Sequence, residues 1–301
     1  MTEQVEELRK LLQERKEKDP LPKDKYGNTA LFWALKLGSE PLVDILIEQN
    51  SDPLEQNNDG ATALSGILFK RSDSNFAKCI KAIKKDTTLP RENNGKNLIH
   101  KFIEAREFDW LEDLLPIVSE NDLRLIDNEN RSPLHSIGSD DSEEFNEIVE
   151  IIINKFPQLI QIKNPEGQTP IHTACEYNNS NFLHILLNND FTKDLIDIND
   201  RDNIGNTALI LAAESDAVEC LPLLIENSTN LMARNDADDT AFKIADREKY
   251  THAFQILKNA LKKEIRTKKE IGDQEFLNLV QFGKTEAILK PEDLAGLKLL
   301  D

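Results

Sequence analysis

Short bursts of apolar residues at helical spacing alternate along most of this chain with polar stretches rich in Asn, Asp and Gly. The stretch DINDRDNIGNTALILAA, residues 197–213, sets the pattern. Its polar half reads as a short hairpin with Gly205 at the turn, where a side chain would be penalised. Thr207 follows, placed to bond local backbone groups as a helix starts. Leu209, Ala212 and Ala213 then give the stripe of a buried helix face, with alanines where helices must approach closely.

Lined up on the Thr position, six further stretches share this register. They read GNTALFWA from residue 27, GATALSGI from 60, GKNLIHKF from 95, NRSPLHSI from 130, GQTPIHTA from 167 and DDTAFKIA from 238. The register residues Thr29, Thr62, Asn97, Ser132, Thr169, Thr207 and Thr240 are spaced by 33, 35, 35, 37, 38 and 33. A period in that window signals stacked repeats, each burying its apolar face on its neighbours. The copies resemble the ankyrin repeat, whose signature is a T-P-L-H-x-A helix opening. The resemblance covers residues 23–259 and implies an all-α fold: an ankyrin-repeat solenoid of helix-turn-helix units joined by short hairpin loops. Helical caps are expected at both ends, over residues 1–22 and 260–301.

Residues 2–17 pattern as a helix with Val5, Leu8, Leu11 and Leu12 on one side, stopped by Pro20 and Pro22. In repeat one the second helix should turn Leu42, Val43, Leu46 and Ile47 toward its neighbours. Repeat two puts Gly66 and Ile67 where alanines are usual, followed by a polar turn at residues 71–75. Repeat three has Phe102 in an alanine position and should bury Trp110, Leu111, Leu114 and Leu115. Repeat four has Asn130 for the turn Gly and an acidic insertion at residues 139–147; repeat seven has Asp238 for Gly. Residues 258–270 are locally basic, with six Lys/Arg against two Glu.

Composition narrows the functional classes. Asp and Glu number 55 against 37 Lys and Arg, a net charge of -18. That field repels nucleic acid and anionic lipid and steers in a basic or mixed protein surface. No apolar run is long enough to insert in a membrane, and the charged N-terminus is no secretory signal, so a cytoplasmic monomer is expected. Cys79, Cys175 and Cys220 fall in separate repeats and offer neither metal spacing nor a disulfide framework. Abundant turn Asn tolerates left-handed backbone, and with the Ile and Lys content it suggests an AT-rich genome and a secreted bacterial effector acting in a host cell.

No catalytic constellation emerges. His172, Cys175 and Glu176 share a helix, but His172, like His100 and His135, occupies the motif His that braces hairpin backbones in the repeats it resembles. FGKT at residues 282–285 lacks the earlier Gly and the strand of a phosphate loop. No cofactor and no metal are expected. The resemblance implies instead a non-enzymatic scaffold that binds a partner protein on a concave face of hairpin tips and first helices. On this register that face holds Tyr26, Trp33, Leu37, Phe69, Lys70, Lys101, Glu104, Glu176, Tyr177, Glu214 and Ser215. Trp33 and Phe69 are its sharpest anchors. The competing expectation is an enzyme, or a subunit regulating one, that uses repeats three and four or the basic segment.

Overall fold

A computed structural model of the chain describes Lys10 and residues 21–84, 87–140 and 142–270. The expected helix over residues 2–17, Lys10 excepted, and the tail 271–301 with its FGKT stretch lie outside the described residues. The chain forms two compact units, Met1–Pro133 and Leu134–Asp301. Regular structure among the described residues is entirely helical. In the first unit the helix pairs are Ala30–Leu37 with Glu40–Glu48, the 3-10 turn Leu64–Phe69 with Asp73–Ala82, and Leu98–Glu104 with Phe108–Leu114. The second unit opens in Pro133–Gly138, followed by Asn146–Lys155. It continues with the pairs Pro170–Glu176 and Ser180–Asn188, Ala208–Glu214 and Cys220–Glu226, and Ala241–Arg247 and Thr251–Glu270. That last helix runs unbroken past residue 260, where the cap was expected to begin.

Hairpin chemistry explains the register. Three residues before the turn position every copy but the third, which has Glu92, carries an Asp or Asn whose Oδ1 accepts backbone N–H groups across the turn. Asp24 holds Tyr26 and Asn28, Asn57 holds Asp59 and Ala61, and Asp127 holds Glu129 and Arg131. In the second unit Asp202 holds Ile204 and Asn206, and Asn235 holds Ala237 and Asp239. The turn residue itself has positive φ, 79° at Gly205. A Cβ there would meet Asp236 Oδ1 at 2.6 Å. Asn130 and Asp238 adopt the same left-handed backbone, at 63° and 62°, which is why those two copies dispense with glycine.

Most turn asparagines do something other than expected. Of Asn57, Asn58, Asn93, Asn94, Asn128, Asn130, Asn203 and Asn235, Asn130 alone has positive φ. Asn58, Asn93 and Asn128 instead donate their backbone N–H to Tyr26, Asp59 and Asn94 of the preceding hairpin. Their side-chain amides reach the carbonyls of Lys25, Asn58 and Asn93. In the second unit Asn203 makes the same pair of bonds to Glu166 and Pro165.

Most helix starts follow the Thr register. Thr29 and Thr240 accept from the N–H of Phe32 and Lys243 at 3.1 and 3.2 Å. Thr169 and His172 form a reciprocal capping box. Thr207, against expectation, caps nothing, and its buried hydroxyl has no partner. Ile210 stands where His172 stands one repeat earlier, so no side chain returns the contact.

Packing accounts for the irregular copies. Phe102 fills its alanine position as a wholly buried ring, T-shaped to Phe76 and Trp110, which stack on each other at 5.0 Å. Burying such a ring is worth on the order of 2 kcal/mol. Residues 71–75 are not an inserted turn: Ser72 caps the second helix, and Asp73 and Asn75 lie in its first turn. In repeat one Ile45 joins Val43 and Leu46 in the core, whereas Leu42 and Ile47 are half-buried. The acidic insertion is pinned by buried Phe145. Cys175 and Cys220, 45 residues apart in sequence, meet in the second unit, fully buried, with the Cys220 thiol 3.7 Å from the Ala174 carbonyl.

Thr240→Val should cost about 1 kcal/mol of unfolding free energy by removing a cap. Thr207→Val should be neutral or stabilising, because it deletes an orphan hydroxyl. Urea unfolding of the two variants compares them directly; equal losses would show that Thr207 caps its helix in solution.

Candidate partner-binding surface

The large hydrophobic side chains exposed among the described residues are Tyr26, Trp33, Leu37, Phe69, Tyr177, Phe191 and Ile204. All but Phe191 sit on hairpin tips, on first helices or at a first helix's end, and none is on a second helix. Five were expected from the register; Phe191 and Ile204 were not. Ile204 occupies the position before the turn glycine, held by Tyr26 in repeat one and by Asp59, Asn94, Glu129, Glu166 and Ala237 in other copies. The same alignment that picks Tyr26 therefore points to Ile204.

In the first unit Asp24 organises the tip. Its Oδ2 accepts from the Trp33 indole at 3.0 Å and its Oδ1 from the Tyr26 amide at 2.8 Å. The Asn28 side-chain amide, chief among these donors, holds the Asp24 pKa down to about 2. Trp33 lies edge-on to Phe32 at 5.8 Å with 40% of its surface exposed. Phe69 projects from the next repeat, 6.4 Å from Phe32, and Lys70 donates to the Leu37 carbonyl at 3.1 Å. Lys101 and Glu104 are occupied internally. Lys101 pairs with Glu92 at 2.6 Å, and Glu104 with the buried Lys96, which also holds Glu129 at 2.7 Å.

In the second unit an open groove of about 590 Å³ runs between the fifth and sixth hairpins. Glu166, Glu176, Asp202 and Glu214 line it with Ile204 and Ser215, and no lysine or arginine does. Tyr177, 54% exposed, follows Glu176 directly. Partial burial, and then the charges of Glu214, Asp202 and Glu166, push the Glu176 pKa up despite a hydrogen bond from Gln168. The groove thus brings Glu176, Glu214 and Ser215 together as expected.

The apparent thiol site is structural. His172 Nδ1 faces Thr169 N–H at 3.2 Å and Nε2 faces the Asp200 carbonyl at 3.1 Å, so the ring braces two hairpins. Burial lowers its pKa, which suits a neutral ring with one accepting nitrogen. Cys175 is sealed in the core, its pKa raised well above the ordinary value by burial. Among the described residues no group of three or more His, Cys, Asp or Glu is placed to hold a metal ion.

The left-handed turns, bracing histidines and paired helices are those of an ankyrin-repeat fold. Family models for the ankyrin repeat match residues 26–58 once and residues 141–235 as three copies. The solved ankyrin repeat domain of Bcl-3, described as a unique member of the IkappaB protein family, superposes with a TM-score of 0.62 over 77% of this chain and 99% of its own, at 19% identity. Among curated proteins, transcription factor MBP1 of Kluyveromyces lactis is 24% identical over 162 residues, 49% of this chain and 21% of its own length. Neurogenic locus notch homolog protein 1 of Homo sapiens is 25% identical over 154 residues, 51% of this chain and 6% of its own length. The chain therefore spans about a fifth of the first relative's length and 6% of the second's.

A carboxyl with a raised folded-state pKa stabilises the fold below its ordinary value of 4.5, and loses that contribution as pH rises through the raised one. Glu176→Gln should accordingly raise the urea midpoint at neutral pH and leave it unchanged near pH 4. An unchanged midpoint at neutral pH would show that the groove carboxylates do not feel one another.

Proposed function

We propose that this chain is a non-catalytic scaffold that grips a partner protein on the face made by its hairpin tips and first helices. The observation that carries the reading is the placement of exposed apolar side chains: among the described residues six of seven lie there, and none is on a second helix. Keeping large hydrophobic side chains in water forfeits roughly 25 cal/mol per Å² that burial would return. Their concentration on one kind of element marks a surface meant to be covered. Ankyrin-repeat folds ordinarily serve as binding scaffolds.

The groove of the second unit suits a Lys or Arg side chain entering among Glu176, Glu214 and Asp202, with Ile204 and Tyr177 covering its methylenes. The net charge of -18 steers such a partner in. A monomer working in a reducing cytoplasm fits three free, buried cysteines. The bacterial-effector setting gains nothing from the asparagines, since hydrogen bonds between hairpins account for Asn58, Asn93, Asn128 and Asn203.

The test is affinity capture of a partner by the full chain, followed by titration of variants against that partner. Tyr177→Ala and Ile204→Ala should each weaken binding about tenfold or more with urea unfolding unchanged. His184→Ala, exposed on the second helix of the same repeat, should do nothing. Loss confined to His184→Ala would reverse the assignment of the face.

A further inference from the structure

The first unit carries positive charge where its apolar side chains are bare, in a chain that is acidic as a whole. Lys36 Nζ lies 4.0 Å from the Phe69 ring centroid and 5.1 Å from that of Trp33. Lys70 Nζ donates to the Leu37 carbonyl. Several other cations of this unit are neutralised: Lys23 by Glu55, Lys78 by Asp44, Lys96 by Glu104 and Glu129, Lys101 by Glu92, and Arg71 by Glu107. Lys36 and Lys70 have no carboxylate partner among the described residues. Asp24, the acid closest in the hydrogen-bond network, already serves Asn28, Tyr26 and the Trp33 indole.

The arrangement is built by the departures of repeat two. A Cβ on Gly66 would lie 2.7 Å from the Phe32 carbonyl oxygen and 3.1 Å from its ring, so the bare glycine lets Leu64–Phe69 press against Ala30–Leu37. A 3-10 turn has three residues per turn, which eclipses Gly66 and Phe69. Phe69 is thereby aimed at repeat one, where Phe32 and Lys36 receive it, while 65% of its surface stays in water. An ammonium resting on aromatic faces keeps its outer hydrogens free for an anion. A carboxylate delivered there, partly shielded from water by Trp33 and Leu37, gains a charge-assisted bond stronger than one in open solvent. The chain's negative field does not forbid this, because it is screened beyond about 8 Å at physiological salt.

We propose that Trp33, Leu37 and Phe69, with Lys36 and Lys70, form a docking patch for an apolar protein segment flanked by carboxylates. This deepens the scaffold reading, and rests on it only in taking the occupant to be a protein segment.

The probe is a phage-displayed library of random peptides selected on the full chain and depleted on Phe69→Ala and on Lys36→Glu, both exposed or half-exposed sites that leave the core intact. Selected peptides should pair apolar residues with flanking Asp or Glu. A synthesised representative, followed by fluorescence anisotropy, should bind about tenfold more weakly to either variant, and more weakly as salt rises. His184→Ala, exposed on a second helix of the other unit, should bind it as the parent does. Recovery of no peptide, of basic or uncharged peptides, or of peptides indifferent to both variants would overturn the patch. A photo-reactive phenylalanine analogue at position 69 should cross-link to the peptide; cross-linking instead to residues 1–20 or to a second copy would equally overturn it. Should the patch fail while Tyr177 and Ile204 remain necessary for a captured partner, the scaffold reading stands without it.

Discussion

The closed hairpin is the constraint from which the rest follows. A side-chain oxygen from Asp or Asn satisfies two backbone donors across a turn whose apex sits at positive φ, so the tip becomes rigid without strands to hold it. A rigid tip presents one N–H and one carbonyl to its neighbours, and within each unit each hairpin bonds to the one before it through these groups. Spacing between repeats is thereby fixed at the hairpins within each unit. The helices then have to fill whatever gap that spacing leaves, and their side chains vary accordingly: alanines in repeats five and six, a phenylalanine in repeat three, a glycine in repeat two.

This division of labour is what frees the outer positions for binding. One residue before the turn apex it is the backbone carbonyl that serves the ladder, and the side chain there varies widely from copy to copy. Asp59, Asn94 and Glu166 are polar there, as solubility would favour. Tyr26 and Ile204 stand at the same position with 56% and 61% of their surface in water. Stability gives no reason for either. An apolar residue retained at a position that the scaffold does not need is a stronger functional signal than an apolar residue exposed by poor packing.

The fold was legible because its signal is periodic: seven copies of a polar turn and an apolar stripe average away the irregularities of any one. Exposure was legible where register alone decides it, as at Tyr26, Trp33, Leu37, Phe69 and Tyr177. Lys101 and Glu104 sit on the expected element, yet both are held in ion pairs. The Glu129 that shares Lys96 with Glu104 lies 33 residues away from that lysine, beyond what reading one repeat reveals. Residues 71–75 read as a loop because polar residues crowd a helix start as they crowd a turn. Thr207 matches the motif perfectly and still fails to cap, since hydrogen-bond geometry is set by neighbours that the motif does not specify.

Charge is the level at which whole-chain reasoning misleads most. A net value of -18 suggests one kind of partner, but ionic screening means that a bound group feels chiefly what lies within a few side-chain lengths. In the second unit that local environment agrees with the total: four carboxylates line a groove, and Glu176 bears the cost in a raised pKa. In the first it does not, because the exposed apolar side chains lie beside two lysines whose contacts are rings and a carbonyl and not carboxylates. What a repeat surface recognises is therefore set by the charges its own fold leaves unpaired, and those are found by accounting for partners residue by residue.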